Sequence, residues 1–149
     1  MKFDKMGTSP GYLIESLSRN MRRFSADILK KNDVGLTLEQ FAVLMVLSDH
    51  GPKHQAEIAE IMSKDNPTLT RILDLLEKKE LLNRETSPDD RRKFLLVLTK
   101  KGKAKIDATH PLVIEIRNTL FGGFTSDQLD QLLEIKALIE ANISAANKS

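Results

Sequence analysis

The 149-residue chain contains no cysteine. That excludes disulfides, thiol redox sensing, Cys-based zinc sites and thiol nucleophiles together. No stretch approaches the roughly 18 consecutive apolar residues that cross a bilayer. The opening MKFDKMGTSPGYL has no apolar signal core, so a cytoplasmic location is expected. No glycine-rich phosphate loop, internal repeat or low-complexity linker is present. The three histidines, His50, His54 and His110, lack the spacing of a Ser–His–Asp set or a metal site. His50 and His54 straddle Gly51-Pro52 and so share no helical face. The expectation is a protein that is not an enzyme, with no metal and no cofactor.

What is present is an ordinary balance for a soluble domain, 40% hydrophobic and 30% charged residues, with a net charge of +2. The distribution of that charge is more telling than its sum. Residues 1–52 carry seven basic and six acidic side chains, residues 53–106 thirteen and nine, and residues 107–149 three and six. From Arg91 to Ile106 there are seven Lys or Arg and no acid. Such a stretch suits a polyanion.

Apolar residues at Leu13, Leu17, Met21, Phe24, Ile28 and Leu29 recur at threes and fours, predicting an amphipathic helix over 12–31. Asn32-Asp33-Val34-Gly35 ends it. Thr37 with Gln40 forms a capping box ahead of FAVLMVL, which is apolar nearly all round and therefore a buried helix. Asp49-His50-Gly51-Pro52 stops that one, and two short helices follow over 55–62 and 66–79. The period then changes. Residues 82–86 and 93–99 favour strands, and Ser87-Pro88-Asp89-Asp90 between them is turn chemistry. A long helix is predicted over 100–120 with Pro111 inside it, then Gly122-Gly123, a second capping box from Thr125 to Gln128, and a last helix over 126–145. The fold class is mostly α with a small two-stranded hairpin.

Two segments carry function. Gln55 to Ile72 reads as a helix-turn-helix: Ala59 is small where helices approach, and Ile58, Met62, Leu69 and Ile72 face a core. Ser63-Lys64-Asp65 makes the turn, with Asn66 as cap and Pro67 at the first helical position. On the second helix Leu69, Ile72, Leu73 and Leu76 form the buried stripe. That leaves Pro67, Thr70, Arg71, Asp74 and Lys78 opposite and Thr68 on the flank, residue types that reach base edges and phosphates in a major groove. The hairpin tip Asp89-Asp90-Arg91-Arg92-Lys93 adds a basic cluster suited to a minor groove. Asp90 is expected to hold one of the arginines as an ion-pair partner.

The run SPDDRRKFLLVLTKKG resembles the wing signature of the MarR family, D-x-R-x-x-x-(L/V)-x-L-T, filled here by Asp90, Arg92, Leu96, Leu98 and Thr99. The preceding NPTLTRILDLLEKKELLNR is similar to that family's recognition helix and first wing strand, and the order of elements matches from about residue 10 to 145. Glu80 departs from the glycine that usually ends the recognition helix. The resemblance implies a homodimeric, sequence-specific transcriptional regulator, a repressor released by a small aromatic or anionic ligand. It also implies a winged helix-turn-helix over 37–99 and a helical dimerisation arm from 1–36 and 100–149, straddling a pseudo-palindromic operator. It assigns DNA contacts to Pro67, Thr68, Thr70, Arg71, Lys78, Asp90, Arg91, Arg92 and Lys93. Candidates to line an effector pocket are Tyr12, Ser16, Arg19, Arg23, Phe41, Met45 and His110. The alternative is a winged-helix module that binds protein without reading DNA.

Overall fold

Short polar side chains set where the helices begin. The computed structural model describes residues 6–147; residues 1–5 and 148–149, which the sequence assigns to the arm, lie outside the described residues. Ser9 accepts the Tyr12 amide at 3.3 Å and starts α1 (Pro10–Lys31), with Pro10 where an unpaired N–H would otherwise point out of the helix. Thr37 and Gln40 cap each other at 3.1 and 3.2 Å and start α2 (Leu38–His50). Helix α3 spans Gln55–Met62 and α4 Asn66–Lys78. Helix α5 (Lys100–Phe121) runs on through Pro111, and the Thr125–Gln128 box starts α6 (Ser126–Ala146).

Two expectations need correction. The cap of α4 is Asp65, not Asn66: its carboxylate takes the Thr68 amide at 2.9 Å, so Asn66 becomes the first helical residue and Pro67 the second. The sheet has three strands rather than two. Strands β2 (Leu82–Thr86) and β3 (Phe94–Leu98) form the expected hairpin, but β1 (Lys53–His54) pairs antiparallel with the other edge of β3, Lys53 opposite Leu96.

The chain divides into two compact units, Met1–Ile116 and Arg117–Ser149. In the first, Val43 and Leu44 of α2, Ile58 of α3, Leu69, Leu73 and Leu76 of α4, and Leu82 of β2 are wholly buried, and Leu96 of β3 nearly so. This is the stripe read from the sequence, except that Met62 is only half-buried. In the second, Phe121 and Phe124 meet edge to face at 5.6 Å, and α6 buries no residue. Leu129, Leu132, Leu133, Ile135, Leu138 and Ile143 each remain at least half exposed.

The passage from α4 to α5 is tightly made. Glu80 adopts φ 61°, the left-handed value that favours glycine, and Leu81 then enters the core. Thr99 donates its hydroxyl to the Glu80 carbonyl at 2.8 Å and accepts the Gly102 amide at 2.9 Å. Gly102 sits so close that a Cβ there would lie 2.0 Å from the Leu81 carbonyl oxygen. Only hydrogen fits.

Candidate nucleic-acid interface

Helix α4 presents two faces because its apolar residues recur at three and four. With Leu69, Ile72, Leu73 and Leu76 turned inward, Pro67, Thr68, Arg71 and Lys78 are exposed and Thr70 half-buried. Asp65 anchors the start of this face, for its carboxylate also accepts the Thr68 hydroxyl at 2.9 Å. Those two bonds hold the Asp65 carboxyl below its ordinary range. The turn before it is set by Ser63 at φ 50°, so serine adopts the left-handed position where glycine is commoner. Lys64 ties the turn to Glu39 at the start of α2, 2.9 Å away.

Thr70 is not a free hydroxyl. It donates to the Asn66 carbonyl at 2.8 Å and accepts Nε2 of Gln55 at 2.7 Å. Gln55, at the first position of α3, is thus a member of the site that sequence reasoning passed over. Its only sequence signal was a polar residue opening a helix next to the recognition helix.

The wing tip is a seven-residue loop, Ser87 to Lys93, closed by Ser87 N–H on the Lys93 carbonyl and Lys93 N–H on the Asp90 carbonyl, both at 2.9 Å. Here the expectation for Asp90 fails. Its Oδ1 accepts the Arg92 backbone amide at 3.0 Å, and no arginine side chain pairs with it among the described residues. Two residues of separation favour this local turn bond over a reach to a guanidinium. The side chains of Arg91, Arg92 and Lys93 are exposed.

Two groups of cations in this lobe bear on the site. Lys53 pairs with Glu57, Lys64 with Glu39, Lys101 with Glu80, and Arg84 with both Asp74 and Glu77. Arg84 was missed from sequence; it occupies the carboxylate of Asp74, which stays exposed on the polar face read for α4. By contrast, Arg71 and Lys78 on α4 and Arg91, Arg92 and Lys93 on the wing have no side-chain acceptor among the described residues. These five cations are open to phosphates.

His54, with Phe94, fastens β1 to the wing: its Nδ1 lies 3.0 Å from the Phe94 carbonyl oxygen. Its amide donates to Glu57 at 2.7 Å, the main reason the Glu57 carboxyl is held below its ordinary range. No group of three or more His, Asp or Glu able to hold a metal occurs among the described residues. Among those residues no helix is long and apolar enough to cross a membrane.

Of the seven effector-pocket candidates, the structure brings together Phe41 and His110, whose rings stack at 6.4 Å. Arg19 pairs with Glu15 on its own helix at 2.8 Å, and Ser16 donates to the Leu13 carbonyl at 3.1 Å. Tyr12 and Arg23 are exposed and Met45 half-buried.

A model of the MarR family matches residues 36–94, the segment from the start of α2 to the start of β3. NicR of Pseudomonas putida, an HTH-type transcriptional repressor, is 32% identical over 114 residues, covering 76% of this chain and 72% of NicR. The transcriptional repressor CouR, solved bound to a 23-mer DNA duplex, superposes with a TM-score of 0.78 at 30% identity, over 94% of this chain and 98% of CouR. A cysteine-to-serine mutant of Escherichia coli MarR, solved with operator DNA, superposes with a TM-score of 0.78 at 26% identity, over 93% and 99% of the two chains.

Proposed function

This chain belongs to the MarR family of DNA-binding transcriptional regulators, and on that premise we propose that it is a cytoplasmic homodimeric repressor, released from a pseudo-palindromic operator by a small ligand. One observation carries the DNA reading: Arg71, Lys78, Arg91, Arg92 and Lys93 have no side-chain acceptor among the described residues, while the neighbouring cations Arg84, Lys64 and Lys101 are paired inside the protein. Unpaired guanidinium and ammonium groups on a helix and a ribbon tip are what a phosphate backbone requires.

In this reading α4 enters the major groove, with Pro67, Thr68, Thr70 and Arg71 toward base edges and Lys78 on the backbone. Arg91, Arg92 and Lys93 at the wing tip take the minor groove and its phosphates, and Asp90 shapes the tip without touching DNA. The winged helix-turn-helix is 37–99 and the arm is 1–36 with 100–149. The apolar stripe of α6 supports the dimer, since a second copy is the simplest cover for it. Two reading heads would then sit about one helical turn of DNA apart.

The test is a salt titration of binding to the DNA upstream of the protein's own gene and to a scrambled duplex. Arg92→Ala is expected to weaken both and lower the salt slope by about one unit per subunit. Arg71→Ala is expected to cost about 1–3 kcal/mol more on the specific site than on the scrambled one. A wild-type protein that binds neither duplex would overturn the reading and favour a protein partner for the wing.

A further inference from the structure

A threonine hydroxyl has a single proton to give and two lone pairs to receive with. At Thr70 the proton goes to the Asn66 carbonyl, 2.8 Å away, because a carbonyl oxygen can only accept. One lone pair takes Nε2 of Gln55 at 2.7 Å. The same carbonyl settles which way the Gln55 amide faces, since it lies 3.5 Å from Nε2 and would repel the amide oxygen. Thr68 is in a like state, its hydroxyl donating to the Asp65 carboxylate at 2.9 Å. Pro67 has no N–H. Of Pro67, Thr68, Thr70 and Arg71, the residues facing out from the first turns of α4, only Arg71 keeps protons for the acceptors on base edges.

We propose that Thr70 reads a thymine through its γ-methyl group, and that Gln55 is the positioning residue that turns this methyl to the base. With its proton committed, Thr70 cannot serve guanine O6, thymine O4 or a purine N7, all of which are acceptors in the major groove. Its oxygen is drawn back along α4 to Asn66 and across to α3, which leaves the methyl as the γ group free to face DNA. The C5-methyl of thymine is the apolar feature of that groove, and a threonine methyl is a fitting partner for it. Arg71, the next residue, keeps its guanidinium for the paired acceptors O6 and N7 of a guanine. A methyl and a pair of acceptors are thus read side by side.

Gln55 matters because a helical threonine has a choice. Its hydroxyl can reach more than one carbonyl of the preceding turn, so threonine divides between two χ1 rotamers there. The two send the methyl in different directions. The bond from Gln55 favours one of them, and it comes from outside the helix: Gln55 opens α3, is half-buried, and lies fifteen residues before Thr70. Thr70 can meet a base only if α4 lies in the major groove, so this role rests on the DNA reading of the chain.

The experiment removes a methyl from each side in turn. The full chain is titrated by fluorescence anisotropy with duplexes from the DNA upstream of its gene, in which the thymines of the bound segment are replaced one at a time by deoxyuridine. At one thymine of a half-site the wild type is expected to weaken about fourfold, the worth of one methyl kept from water. Thr70→Ser, which keeps the hydroxyl and its two bonds, should bind the thymine site as weakly as the wild type binds the uracil site, and should not tell the two apart. Thr70→Val, which keeps the methyl and loses the hydroxyl, should still tell them apart. Gln55→Ala should shrink the thymine-to-uracil ratio below about twofold as the methyl divides between rotamers, yet leave that ratio unchanged when added to Thr70→Val. Circular dichroism shows that each variant is folded. Wild-type binding indifferent to every uracil, or a ratio that survives in Thr70→Ser, overturns the methyl reading. A ratio lost in Thr70→Val puts the hydroxyl on the base instead and overturns it equally. An undiminished ratio in Gln55→Ala overturns the positioning role. A wild-type protein that binds none of the duplexes overturns the DNA reading itself, and the role of Thr70 with it.

Discussion

Arg84 on β2 closes its guanidinium on Asp74 and Glu77 of α4, with Nη2 2.6 Å from Asp74 Oδ1. One side chain thereby ties the first strand of the wing to the recognition helix at two points. Its own exposure is only 25%, and Glu77 is at 38%, so the charges are partly shielded from solvent. Arg84→Ala is expected to destabilise the fold by about 1 kcal/mol, the upper end for partly exposed pairs, and to be non-additive with Asp74→Ala and Glu77→Ala. DNA affinity should fall on every duplex while the salt slope stays put, because Arg84 holds carboxylates and not phosphates. Urea unfolding and a salt titration read the two effects. A slope lowered by about one unit would mean that Arg84 touches DNA.

Gly102 admits no side chain. Besides the Leu81 carbonyl oxygen, an added Cβ would meet Leu98 Cδ1 at 2.7 Å, and backbone cannot yield as a flexible side chain does. Gly102→Ala is expected to cost about 3 kcal/mol, the high end of overpacking, by pushing the start of α5 away from Leu81 and Leu98. Ala104→Gly, two residues on, should cost only about 1 kcal/mol of helix propensity. Similar losses in thermal unfolding would refute the close approach.

Asp65 gives the recognition helix an acid-sensitive start. The folded carboxyl lies below its ordinary value of 3.8, held there by the Thr68 amide first and the Thr68 hydroxyl second. A lowered folded value means stability that is present above about pH 4 and lost as pH falls through the folded pKa. Asp65→Asn should preserve the cap at neutral pH, since asparagine caps as well, and flatten this acid limb. Chemical unfolding between pH 5 and pH 2.5 measures it. Identical limbs in wild type and variant would remove Asp65 from the acid response.

The exposed stripe of α6 calls for a dimer partner. Leu132→Asp with Ile139→Asp is expected to convert the dimer to monomer in sedimentation, because an unpaired carboxylate in an apolar interface loses its hydration. An unchanged sedimentation coefficient would place the interface elsewhere.

Most of the helices were legible because caps and apolar periodicity agree, as at Thr37–Gln40 and along Leu69, Ile72, Leu73 and Leu76. What the sequence hid was non-local or a near tie. Two residues, Lys53-His54, have no period, and only the distant edge of β3 makes them a strand. Asp65 and Asn66 are both good caps, and the Thr68 hydroxyl tips the choice to Asp65 by donating a second bond to the same carboxylate. The unpaired cations of α4 and the wing could be named from sequence, but which cations are spent internally could not. Arg84 lies seven and ten residues from its two partners, on a different element.

The sequence distance between β1 and its partner bears on how the sheet closes. Strands β2 and β3 meet across a seven-residue loop, and α4 leads directly into them, so these pieces can assemble with little loop entropy to overcome. Lys53 pairs with Leu96, a separation of 43 residues (96 − 53), and must wait for α3 and α4 to bring it across. Until then the edge of β3 at Leu95 and Leu96 is open, a template for another chain's strand. In the native sheet Lys53 and His54 cover that edge, and the contact between His54 Nδ1 and the Phe94 carbonyl adds to the cover, so the residues between α2 and α3 deny a foreign strand its template.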